Sequence, residues 1–112
     1  MVPQYGHPRN DRRSVLLHRA IAQKLLASPE GVLVKARGHI AVMAQNPRTQ
    51  RYAEVWSRLL ELPVPALAER LTEFNEEMVA LRQCTPFAGV LTPQERWQIY
   101  RQFREDEQHD AR

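Results

Sequence analysis

The sequence predicts an all-α fold, a compact bundle of about five helices behind a flexible N-terminal arm. Three observations carry that expectation. Leu, Ala, Arg, Glu and Gln dominate, glycine is scarce and β-branched residues are mostly isolated, a composition that favours helices. Apolar residues recur every three or four positions through most of the chain, the period of a helix buried on one face. Helix starts are also signalled more than once: Ser28-Pro29-Glu30 and Thr92-Pro93 with Glu95 each combine a capping hydroxyl, a proline where no amide hydrogen is needed, and an acid in the first turn.

Residues 1–10 hold two prolines and a glycine without periodicity and read as a disordered or extended arm. A single helical domain then occupies 11–108, with a frayed tail at 109–112. The first helix is expected to start at Asn10 or Asp11, either of which can cap, and to end at Ala27. Leu17, Ile21 and Leu25, flanked by Leu16, Ala20, Ala22 and Leu26, give it an apolar face wide enough to be covered on more than one side. His18 falls on the margin of that face, where a packed or surface role is expected.

The second helix runs from Pro29 to about Gln45, stopped by Asn46-Pro47. Its stripe is Leu33, Ala36, Ile40 and Met43. Val32-Leu33-Val34 and Ile40-Ala41-Val42 around Arg37-Gly38 also fit a β-hairpin, so residues 31–44 stay open between helix and hairpin, with the cap and stripe favouring helix. The third helix, 48–61, has Tyr52, Val55, Trp56, Leu59 and Leu60 on one face and Arg51, Glu54 and Arg58 opposite. Leu67, Leu71, Phe74, Met78 and Leu81 then form a heptad-like stripe, in one helix reaching Cys84 or in two if Asn75 caps a second start. The apolar loop 85–91 leads into a last helix over 93–105, which carries Trp97, Tyr100 and Phe103 at spacings of three and Ile99 beside them.

At 112 residues, 43% apolar and 26% charged, the chain has the size and composition of one soluble globular domain. It has no apolar run long enough to span a membrane and no secretory signal, so a cytoplasmic location and no membrane partner are expected. The lone Cys84 excludes an internal disulfide. Charge is uneven. Residues 1–58 carry ten Lys/Arg against three carboxylates, a net +7, whereas residues 59–112 carry six Arg against ten Asp/Glu, a net −4. The two halves can attract each other, or each can face a partner.

No catalytic constellation is legible. His7, His18, His39 and His109 are scattered, without a second histidine or a cysteine at ligand spacing, so neither a metal site nor any cofactor is expected. Glu76 and Glu77 are adjacent and point apart. The four glycines are isolated and make no phosphate loop. The expectation is therefore a binding protein and not an enzyme. Nucleic acid is one possible partner. Arg9, Arg12, Arg13 and Arg19 head a basic N-terminal half able to neutralise phosphates, as in a basic helical DNA-binding transcriptional regulator.

Protein binding is the favoured reading. Apolar residues in the loop, Phe87, Val90 and Leu91, must fill either this protein's own core or a partner's groove. Trp97, Tyr100 and Phe103 are large rigid anchors of the kind that dominate interfaces. Together with Arg82 these are the candidate partner-binding residues; oligomeric state is left open.

Leu17-His18-Arg19-Ala20-Ile21-Ala22, Tyr52-Ala53-Glu54-Val55-Trp56 and Arg82-Gln83-Cys84-Thr85-Pro86-Phe87-Ala88-Gly89-Val90-Leu91 resemble a group of short, uncharacterised bacterial all-helical proteins. The last of these, an Arg-Gln-x-Ser/Thr-Pro-Phe-Ala-Gly-Val-Leu run, is the specific one. What the resemblance implies is an antitoxin, the small partner in a two-gene toxin–antitoxin module, binding and neutralising a cognate toxin encoded by an adjacent gene. On that expectation the 87–91 loop and the aromatic helix anchor the toxin, while acidic residues of the second half cover a basic surface on it.

Overall fold

The chain folds into α1 (Pro8–Ala27), α2 (Pro29–Ala44), α3 (Gln50–Leu59), α4 (Val64–Arg70), α5 (Glu76–Gln83) and α6 (Pro93–Asp110). The structure, a computed structural model, describes the backbone of residues 8–110 and the side chains of residues 11–108. Among the described residues there is no strand, so 31–44 is helix and not hairpin. No described helix is long and apolar enough to cross a membrane.

Helix α1 is the central element. It packs against α2, α4, α5 and α6, which accounts for the width of its apolar face. Ile21 and Leu25 of α1 join Val32, Ala36 and Ile40 of α2, Trp56 and Leu59 of α3, and Leu67 and Leu71 around α4 in one buried cluster. The α2 stripe is rotated slightly from the expected one: Val32 is buried and Leu33 and Met43 are only partly so.

Among the described residues six helices replace the expected five, because the segment after Pro65 divides. Asn75 is the cause. Its side-chain oxygen accepts the Met78 amide at 2.8 Å, which satisfies a donor that would otherwise be orphaned in the first turn of α5. Helix α1 starts earlier than Asn10 or Asp11, at Pro8, and Asp11 does not cap but lies in the first turn with its carboxylate turned to Arg82. Residues 8–10 therefore belong to α1 and not to an arm, while the arm expected over 1–7 lies outside the described residues. Helix α6 continues to Asp110, beyond the expected end near 105, so the frayed tail is helical at 109 and 110; residues 111 and 112 lie outside the described ones.

The two proline-signalled starts differ. Thr92 and Glu95 form a full capping box: the Thr92 amide donates to Glu95 Oε1 at 2.8 Å and the Glu95 amide donates to Thr92 Oγ1 at 3.1 Å. Ser28 makes no hydroxyl cap. As the single residue between α1 and α2, it donates its amide back to Lys24 O at 2.8 Å and offers its carbonyl forward to Val32 at 3.3 Å.

Candidate partner-binding surface

The large side chains of the run 82–91 turn inward: Arg82, Pro86, Phe87, Val90 and Leu91 are buried. The Arg82 guanidinium meets Asp11 at 3.1 Å and donates to the carbonyls of Leu71 at 3.3 Å and Glu73 at 2.8 Å, tying α5 to α1 and to the α4–α5 turn. Its Nε has no hydrogen-bond partner among the described residues. Phe87 is 0% exposed and meets Trp56 edge-on, with ring centroids 5.5 Å apart at 76°. The Trp56 indole N–H donates to the Cys84 carbonyl at 3.0 Å. Val90 and Leu91 are buried in the same cluster. Four of the expected partner-binding residues are thus buried in the fold: Arg82 through Asp11 and the two carbonyls, and Phe87, Val90 and Leu91 because a loop this rich in apolar mass lowers its free energy most by plugging the bundle it closes. Of the run, Gln83, Ala88 and Gly89 remain exposed.

The aromatic trio divides as well. Phe103 faces α1 and is buried, its ring 5.7 Å from the Arg12 guanidinium. Tyr100 is half-buried. Trp97 is 57% exposed. Spacings of three turn successive side chains by about 60° in a 3.6-residue helix, so three such residues cannot all share one buried stripe.

Trp97 and Tyr100 shape two adjoining hollows. One, of about 220 Å³, is lined by Arg13, Trp97, Tyr100, Phe103 and Arg104. The other, of about 390 Å³, is lined by Arg96, Trp97, Tyr100 and the 88–93 segment. The Arg104 guanidinium lies 5.3 Å from the Trp97 ring centroid and that of Arg13 lies 4.3 Å from the Tyr100 centroid, distances at which a cation is held by the ring quadrupole. Arg96 donates to the Tyr100 hydroxyl across a long 3.5 Å, and this contact holds the phenol below its ordinary range. Arg96 and Arg104 are functional candidates that sequence reasoning missed; their signal was the helical spacing of Arg96, Tyr100 and Arg104 at i, i+4 and i+8.

The basic residues do not gather into one phosphate track. Arg12 pairs with Glu107 at 3.6 Å, Arg13 lies over Tyr100, Arg19 is exposed further along α1, and the side chain of Arg9 lies outside the described residues. Part of the charge asymmetry is satisfied internally: Lys24 meets Glu95 at 2.6 Å, which together with the Thr92 amide holds the Glu95 carboxyl down at about 2. Among the described residues no group of three or more His, Cys, Asp or Glu is placed to hold a metal ion. No known family model matches the chain, and no curated protein or solved structure matches it.

Proposed function

We propose that this protein is a non-enzymatic binding module that acts as an antitoxin, engaging a cognate toxin from an adjacent gene through the exposed side of α6. One observation carries the reading. Trp97 stands 57% exposed between two hollows, on a helix whose start is fixed by a capping box and whose inner face is anchored by Phe103. A large apolar ring held in water on a rigid helix is the kind of residue around which interface hot spots form. The antitoxin role itself rests on the resemblance carried by 82–91, whose side chains supply the frame for α6 and not the contact. The alternative of a DNA-binding regulator is less well supported, because Arg12 is already paired with Glu107 of α6.

The test is co-expression with the neighbouring gene's product, followed by gel filtration and a growth assay. A stable complex and relief of toxicity support the reading. No complex, with host growth unaffected by the neighbour alone, sinks it.

A further inference from the structure

The surface around Trp97 has a definite electrostatic character. Arg13, Arg96 and Arg104 border Trp97 and Tyr100, and among the described residues none of the three is in an ion pair with a carboxylate. Elsewhere cations that close the fold do have one, as Lys24 has Glu95 and Arg82 has Asp11. The guanidinium groups of Arg13 and Arg104 are instead held over the Tyr100 and Trp97 rings and Arg96 donates to the Tyr100 hydroxyl, which leaves N–H donors to meet carboxylate oxygens in the bidentate geometry that arginine favours.

Resting on the binding-module reading above, we infer that this surface takes an acidic segment of the partner protein. Its carboxylates face Arg13, Arg96 and Arg104, and an apolar side chain enters the hollow beside Trp97. The charge pattern along α6 favours a short acidic segment over a nucleic acid. The cationic area is small, because the neighbouring Arg12 is paired with Glu107 and Arg101 with Glu105, so a continuous phosphate backbone would soon leave it. A short acidic peptide segment needs no more than these three cations. Complementarity therefore runs opposite to the expectation from the sequence, with the partner and not this chain supplying the acid at the contact.

Trp97 fluorescence reads the binding directly, since Trp56 is fully buried and Trp97 is exposed. The probes are a synthetic peptide alternating Glu with Leu and Phe, its counterpart with Lys in place of Glu, and oligo-dT. The Glu peptide is expected to shift the emission to the blue. Arg13→Glu/Arg104→Glu should weaken it by at least about tenfold, or ~1.4 kcal/mol, while Arg37→Glu, in a separate hollow between α2 and α3, leaves it unchanged. No shift with the Glu peptide, or tighter binding of the Lys peptide or oligo-dT, overturns the inference. The two readings fail separately. Peptide binding without a complex with the neighbouring gene's product contradicts the antitoxin role alone, and a complex indifferent to Arg13→Glu/Arg104→Glu contradicts the acidic-segment inference alone.

Discussion

His18 on α1 and Thr85, 67 residues further along the chain, are joined by a 2.9 Å hydrogen bond inside the bundle. The other ring nitrogen, Nδ1, lies 2.7 Å from the Ser14 carbonyl, which can only accept. The neutral ring therefore carries its proton on Nδ1, and the Thr85 hydroxyl donates to Nε2. Thr85 Oγ1 in turn accepts the Phe87 amide at 3.2 Å, so one polar chain links the central helix to the loop that plugs the core.

That chain predicts a pH dependence. Burial, with a smaller contribution from the Arg82 charge against the raising effects of Ser14 and Asp11, lowers the His18 pKa from 6.5 to about 4. Between those values the unfolded chain binds more protons than the folded one, so stability rises with pH across the window. The contribution is fully present above 6.5 and is lost as pH falls toward 4, with an upper size of roughly 3 kcal/mol. Urea denaturation of the wild type and His18→Gln at pH 7 and pH 4 measures it. The stability difference between the two proteins should shrink at the lower pH; a constant difference would show that His18 titrates normally.

The Arg82–Asp11 pair sets a second expectation. Replacing Arg82 by Met leaves the Asp11 carboxylate and the Leu71 and Glu73 carbonyls without their donor, and breaking a buried pair from one side typically costs about 3–5 kcal/mol. Arg82→Met/Asp11→Leu should recover part of that loss, because it removes the stranded charge. Chemical denaturation of the single and double variants decides the point.

Phe87→Ala should destabilise the free protein by about 3–5 kcal/mol and Leu91→Ala by about 2–5, as for large-to-small changes in a packed core. Thermal unfolding of the free chain checks this. Variants that fold normally and lose only a complex would return the loop to the interface.

Gly38→Ala should stabilise the protein by about 1 kcal/mol. The residue lies inside α2, an added Cβ would meet nothing within 4 Å, and glycine there only enlarges the entropy of the unfolded chain. A rise in the denaturation midpoint is the expected result.

The helices were legible because their periodicity and caps are local, and Thr92 with Glu95 behaves in the structure as its spacing predicts. Asn75 showed where a division could fall but not that it did, since a cap forms only if the preceding turn is released. The candidate site was half legible. Phe87 and Leu91 carry the same apolar signal whether they fill their own core or another's, and that choice depends on the space left by α3 and α5, which no local pattern records. Arg82 had no visible reason to be interior, because Asp11, its carboxylate, is 71 residues away. The sequence did single out Trp97, and Arg13 as a phosphate contact, but not Arg96 and Arg104, nor that arginines of two helices meet around that ring in the folded protein.

The central claim, that the exposed face of α6 and not the 82–91 run meets the partner, is tested most directly by the affinity of Trp97→Ala for the neighbouring gene's product. Calorimetric titration should show binding weaker by at least ~2 kcal/mol, about thirtyfold, the loss expected of a central interface aromatic. The free variant's unfolding midpoint should stay unchanged. Binding at wild-type affinity, with the fold intact, would contradict the account.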